Sequence, residues 1–383
     1  MRNLVILGAF LLLGVPLQAA VITVDDDGPA DFNNIQDAIN YSWHGDTIVV
    51  KPGTYIEKIY FNGRAITVTS LDPNVESIRN ATIIDGSPYF SSVIFDFGED
   101  SNSVLTGFSI KGYPVECKGS SPTITKNRFF SNGYIISWDD ASPTISYNTF
   151  YSDSFGISGC NGLIIHNLFS GCRIYQCDGV IANNIIKGCN INAVEKCNGT
   201  IINNTIVNNN DSGLFDCRAV VKNNIIAYNK CGIRFTCSNS YNNIWSNKTS
   251  NFSDGAAAGV GDISTDPLFV SSNDYHLKSH AGRWDIETSS WVIDDANSRC
   301  IDAGDPSDSV GVEPNPNCGR INMGAYGGTA EASKSPSGIV EPVCTRYPAM
   351  DFNTDCKVDF QDLAIFCESW LECNLDPPDV CWQ

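Results

Sequence analysis

Short runs of Ile and Val, three to five residues long, recur through the middle of the chain and are broken each time by Asn or Gly. Aligned on asparagine, SPTITKN ends at Asn127, SPTISYN at Asn148 and GLIIHN at Asn167. The series continues with GVIANN at Asn184, GTIINN at Asn204, AVVKNN at Asn224 and NSYNN at Asn243, at intervals of 17 to 21 residues. Period-2 alternation with β-branched side chains predicts short strands, and the units lack stretches of helical spacing. One such unit cannot bury its own apolar face. Stacking units at the strand spacing of roughly 4.8 Å buries a continuous Ile, Val and Leu core, so the pattern predicts a parallel β-solenoid. The repeated Asn is expected to do two things. It tolerates the left-handed backbone of a sharp bend, and its amide can hydrogen-bond from coil to coil.

The flanks carry different patterns. Within Asp31–Asn40, Ile35, Ala38 and Ile39 have i, i+3, i+4 spacing, which predicts a short helix able to cover the open apolar end of the first coil. Gly45–Glu57 (GDTIVVKPGTYIE) follows, with strands expected at Ile66 to Thr69 and Thr82 to Ile84. Residues 331–347 lose the repeat and gain Ser and Pro, as a linker does.

Composition adds three constraints. Arg2, the apolar run Leu4 to Leu17 and the small residues before Val21 read as a signal peptide over residues 1–20, so the mature chain is expected to be secreted or held at the cell surface. No other stretch approaches the length of a membrane span. The net charge of −19 argues against nucleic acid as a partner, and against a polyanionic glycan unless metal ions bridge the like charges. Sixteen cysteines in an exported chain make disulfides an expectation. Cys160, Cys177, Cys197 and Cys217 each lie seven residues before a repeat Asn, and Cys237 lies six before. Coil-to-coil disulfides and a stack of buried thiols both fit that column. The four histidines, His44, His166, His276 and His280, form no metal spacing.

The GDTIVVKPGTYIE opening and the Asn-centred repeats resemble the pectin-lyase-like right-handed β-helix superfamily. Asp266–Phe269, Asn273–Lys278, Ile301–Pro306 and Ile321–Gly328 are similar to the closing segment of its secreted members, so the likeness covers about 300 residues. It implies an all-β, right-handed parallel β-helix over residues 21–330 and an extracellular polysaccharide as ligand. The superfamily hosts lyases, hydrolases, esterases, epimerases and non-enzymes, so the fold alone does not choose among them.

If an aliphatic residue of each unit's leading strand points in and its successor out, the outward column is Glu116, Ser137, Ser158, Tyr175, Glu195, Phe215 and Arg234. Trp138, Asp139, Asp140, Asp178, Lys196, Asp216 and Arg218 lie at the strand ends. The resemblance implies a lyase site here. Arg218, Arg234 or Lys196 would act as base, with calcium held by Asp139, Asp140, Asp178, Glu195 or Asp216, and Trp138, Asp139, Asp140, Tyr175 and Phe215 would bind substrate. A hydrolase would need paired carboxylates, and Asp139–Asp140 is the adjacent pair on this face. Isolated charges on an outward strand face also serve as ordinary solvation.

The tail offers the sharpest motif. Asp351, Asn353, Asp355, Asp359 and Asp362 stand at loop positions 1, 3, 5, 9 and 12, with the Lys357 carbonyl at position 7, a set of oxygens suited to Ca²⁺. Leu363, Ile365, Phe366, Trp370 and Leu371 follow at near-helical spacing. Residues 348–383 thus resemble one calcium-binding repeat of a dockerin, which implies a cohesin-like or surface protein as partner. Cys356 replaces the usual Gly at position 6, and one loop is visible where dockerins carry two. A disulfide-stapled tail through Cys344, Cys356, Cys367, Cys373 and Cys381 is the alternative. Function is thereby narrowed to two expectations: pectate-lyase-like β-elimination on a uronate glycan, or a non-catalytic surface or adhesion rod.

Overall fold

The computed structural model describes residues 19–336, 350–352, 358 and 360–368. Two compact units are present. The first runs to Ile181 and includes 188–190 and 195–199; the second takes 182–187, 191–194 and the chain from Thr200. Each is a right-handed parallel β-helix built from three sheets, as the repeat implied.

In the first unit a representative coil places Thr144–Ser146 in the first sheet, Thr149–Tyr151 in the second and Phe155–Ser158 in the third. The next coil repeats the order with Leu163–Ile165, Leu168–Ser170 and Arg173–Tyr175. Ile145 pairs with Ile164, Phe150 with Phe169 and Ile157 with Ile174, all buried side chains pointing inward. Phe129, Phe150 and Phe169 stack at 4.6 and 4.7 Å between ring centroids. Each such side chain contributes roughly 1.5–3 kcal/mol of burial, and the coil repeat multiplies it. The second unit follows the same plan, with Thr200–Ile202 on Val220–Lys222 and Thr205–Val207 on Ile225–Ala227.

The expected capping helix spans Ile35–Tyr41 and buries Ile35, Ala38 and Ile39 completely. Asn34 caps it by accepting from the Asp37 N–H, and Glu57, at the end of the GDTIVVKPGTYIE segment, accepts from the Ile35 and Gln36 N–H groups at 2.9 Å.

The asparagine ladder is present, and its two expected tasks fall to different residues. The backbone N–H and Nδ2 of Asn127 both donate to Asn148 Oδ1 (2.9 and 3.2 Å), and those of Asn148 donate to Asn167 Oδ1 (2.9 and 3.1 Å). In the second unit Asn184, Asn204, Asn224 and Asn242 continue the pattern. The ladder member of the last repeat is therefore Asn242 and not Asn243, which instead bonds Thr265. Left-handed backbone belongs to the residue before each rung: Lys126, Tyr147, His166, Asn183, Asn203, Asn223 and Tyr241. That residue turns its side chain outward, while the rung enters the next strand with its amide turned in. At the end of the series Asp262 accepts both Asn242 donors at 2.7 and 3.0 Å. A carboxylate can accept but not pass a proton on, so it suits a final rung. A second ladder, Asn209 to Asn229 to Asn247 to Asn251, lies five residues on for its first three rungs.

The cysteine column is also a ladder, but of thiols. Among the described residues twelve cysteines carry no disulfide, which is the second of the two arrangements the column allowed. The Cys160 N–H donates to Cys177 Sγ and the Cys177 N–H to Cys197 Sγ, each at 3.3 Å. Burial pushes the Cys160 and Cys172 thiols up to about 12, which keeps them protonated and inert. Cys344, Cys356, Cys373 and Cys381 lie outside the described residues, as do most of the signal peptide and linker.

In the second unit the closing segment lies on the outer face of the second sheet. Val207, Ile225 and Ala227 share a buried cluster with Tyr275, Leu277, Ile301 and Met323. The left-handed asparagines dock it: Asn183 Nδ2 donates to the Ala325 and Gly327 carbonyls, Asn203 Nδ2 to that of Asn322, and Asn223 Nδ2 to Asp308. The doubled Asn of GVIANN, GTIINN and AVVKNN thus serves two ends, docking outward and ladder inward.

Within that segment Glu313, 6% exposed, accepts N–H groups from Asn322 (2.9 Å) and Gly328 (2.8 Å) through one oxygen. Burial pushes its carboxyl up to about 7 against those two bonds, with Asp302 nearby adding to the rise. A carboxyl raised above its unfolded value of 4.5 stabilises the fold fully below that pH, and the contribution is lost as pH rises through about 7. Unfolding midpoints followed across this window should fall with pH, and Glu313→Gln should flatten the fall; equal slopes would contradict the assignment.

Candidate functional site

Strand alternation on the third sheet of the first unit sets the outward rows. Register pairs Glu116 with Ile136, Ile136 with Ser158 and Ser158 with Tyr175. The expected column is therefore right except at Ser137, which is 4% exposed and points in. In YIISWDD two isoleucines are adjacent, and the register turns Ile135 rather than Ile136 to the core.

A charged clasp within aromatic rings occupies this face. Arg173 Nη1 pairs with Glu195 at 2.7 Å, and its guanidinium lies 4.4 Å from the Phe155 ring centroid and 4.6 Å from that of Tyr175. Phe155 meets Tyr175 edge-on at 5.7 Å and Tyr134 at 6.2 Å. Both charged side chains are largely covered, which strengthens the pair relative to an exposed one. Lys196 Nζ stands 5.8 Å from the Tyr175 ring. Glu116, further along the row, accepts the Ser91 hydroxyl. Burial raises the Tyr134 phenol, and Glu116 adds to the shift.

Trp138 is half-buried and Asp139 and Asp140 are exposed, both in left-handed backbone at the corner after the strand. Asp178 accepts the Asn198 N–H (2.9 Å) and Nδ2 (3.1 Å), a coil-to-coil brace. In the second unit Phe215 pairs in register with Arg234, which bonds Asp254 and lies 5.4 and 5.8 Å from the Phe215 and Phe235 rings. The bond to Asp254 raises the Arg234 pKa further. Asp216 takes the left-handed corner there, and Arg218 is exposed. Arg173, Phe155 and Tyr134 were missed by sequence reasoning. A signal existed for Arg173: in GCRIYQC it lies two residues before Tyr175, on the same side of the strand.

In the tail, Asp351 and Asp362 are 9% and 2% exposed, and Asp362 accepts the Phe352 N–H at 2.7 Å. In the sequence motif these are positions 1 and 12. Asn353, Asp355, Lys357 and Asp359 lie outside the described residues. The expected helix follows at Phe360–Glu368. Among the described residues no helix is long and apolar enough to cross a membrane.

A family model described as "Disaggregatase related" matches residues 124–304, somewhat under half of the chain. A comparison with curated proteins finds no match. Among solved structures the chain is similar to pectate lyase Pel9A, with a TM-score of 0.50 and 16% identity over 80% of this chain and 96% of that one. That likeness speaks for the fold.

Removing the guanidinium with Arg173→Ala should lower stability by roughly 1–3 kcal/mol, because a largely covered Glu195 loses its cation and two rings lose their partner. A double-mutant cycle with Glu195→Gln in chemical denaturation should show coupling of at least about 0.5 kcal/mol. Strict additivity would mean the pair is incidental.

Proposed function

We propose that the protein is a secreted polysaccharide-binding β-helix that receives a glycan chain on the third-sheet face of its first unit. The observation that carries this is the Tyr134, Phe155 and Tyr175 series with the Arg173–Glu195 clasp held in it. Aromatic faces stack on the apolar faces of sugar rings, while fixed charged groups meet hydroxyls at their edges. Trp138 at the strand end extends the same surface, and the exposed Asp139 and Asp140 offer acceptors.

Cleavage by β-elimination is the second reading, and the Pel9A likeness in fold brings it in. A base must then take the proton α to a uronate carboxyl. Arg234, with its proton held by Asp254, is the poorer candidate. Lys196, beside Tyr175, is the better one in the first unit, and Arg218 is the remaining one.

The tail completes the proposal. Two buried carboxylates at positions 1 and 12 fit a Ca²⁺ loop, with Asn353, Asp355, Asp359 and the Lys357 carbonyl as the other oxygens. With calcium held there, the adjoining helix Phe360–Glu368 would meet a cohesin-like or surface protein, tethering the β-helix near its glycan.

Retention of the full chain in gels carrying a panel of neutral and acidic polysaccharides tests the reading. At least one should retain it, and Tyr175→Ala or Trp138→Ala should weaken retention by about tenfold, the loss of one stacking contact. Retention by none of them contradicts the proposal. Absorbance of an unsaturated uronate product, with and without Ca²⁺, separates elimination from binding alone. Calorimetric Ca²⁺ titration, with Asp362→Ala as control, checks the tether.

A further inference from the structure

The outer face of the second sheet has two different fates. In the second unit Val207 and Ala227, the third residues of their strands, are sealed beneath Tyr275, Leu277 and Met323. In the first unit the same row reads Asp85, Lys111, Phe130, Tyr151 and Ser170, one residue per coil in unbroken register. Here the row, Asp85 apart, is at the surface: Tyr151 is 43% exposed, and Lys111 and Phe130 are partly so.

Arg128 lies two residues before Phe130 and so projects from the same side of the strand. Its guanidinium sits 4.6 Å from the Phe130 ring centroid and 5.3 Å from that of Tyr151. The neighbouring cation, Lys111, is taken by Asp85 at 2.9 Å. Among the described residues no carboxylate pairs with Arg128, in a chain whose net charge is −19. A guanidinium held against aromatic rings is fixed in orientation and keeps its N–H groups for acceptors in its own plane. That is the geometry in which arginine takes a carboxylate with two parallel hydrogen bonds. The adjacent exposed phenol ring supplies a platform, and successive coils repeat at roughly 4.8 Å, so an extended chain laid across the strands meets one row position after another.

We propose that this second-sheet face of the first unit is a binding site for a carboxylate-bearing sugar, its ring stacked on Tyr151 and its carboxylate paired with Arg128. The site is separate from the third-sheet face and requires no cleavage. It answers the charge problem locally, since a cation without an acidic partner can receive an anionic glycan on an acidic protein without a bridging metal.

Calorimetry on the full chain decides it, using a β-1,4-linked glucuronate hexamer and the glucose hexamer of the same linkage, which differ only in the carboxylates. The acidic hexamer should bind at least about tenfold more tightly than the neutral one, as a charge-assisted bidentate pair provides. Arg128→Ala should abolish that preference and Arg128→Lys should keep part of it. Tyr151→Ala should weaken both ligands. Melting curves establish that each variant is folded, and Arg128→Lys keeps the test open if Arg128→Ala is not. Failure of the wild type to bind the acidic hexamer, or an unchanged preference in Arg128→Ala and Arg128→Lys, overturns the proposal. Binding lost in Tyr175→Ala but kept in Arg128→Ala would move the acidic ligand to the third sheet, leaving the proposed function standing and this site refuted.

Discussion

A buried primary amide, used on every side, holds one coil to the next. Asn148 shows the whole device: its Oδ1 accepts from the Asn127 N–H and Nδ2, and its Nδ2 donates to the Ile124 carbonyl behind and to Asn167 Oδ1 ahead. Nothing in the side chain is left unsatisfied in the interior, where an orphaned donor or acceptor costs about 1–3 kcal/mol. Glutamine would displace the group by a methylene, and aspartate would bring charge and remove the donors. Where no further rung follows, aspartate is what stands there, at Asp262. Register in a parallel sheet is set by this ladder together with the in-line stacking of Ile and Phe behind it.

Fixed register frees the outer surface. Because every inward position is committed to the stack, each sheet presents rows of outward residues one coil apart, and these rows can differ without disturbing the core. In the second unit one row is apolar and lies under the closing segment, which is docked by the asparagines at the bends. In the first unit the corresponding row carries Lys111, Phe130 and Tyr151 beside Arg128, and the third sheet carries Tyr175 and Glu195 beside Arg173 and Phe155. Both exposed faces follow one design, a guanidinium laid on aromatic rings. They differ in the partner: Arg173 has Glu195, whereas Arg128 has no carboxylate among the described residues.

The architecture was legible because the repeat is a stacking requirement written once per coil. The capping helix was legible for a similar reason, since Ile35, Ala38 and Ile39 have one geometry that buries all three. The bend was read half correctly. Sequence spacing cannot separate a rung from the residue before it, and only the doubled Asn of the second unit hinted that two positions had two tasks. Ser137 was misplaced because adjacent isoleucines offer alternation no preferred phase. The cysteine column left thiols and disulfides open, since a stack places sulfurs near one another in either case. Arg173 was passed over because a cation's value depends on a glutamate one coil later, 22 residues away in sequence. Of the tail, Asp351, Asp362 and the helix Phe360–Glu368 are described, and four of the motif's oxygen donors lie outside the described residues.

The asparagine rungs, more than the loops around them, carry the cohesion between coils. Residue-resolved hydrogen exchange tests it most directly. The backbone amides of Asn127, Asn148, Asn204 and Asn224 should rank with the core-strand amides among the slowest to exchange, because opening them requires separating coils. Exchange at those four amides as fast as in the exposed turns would contradict the account.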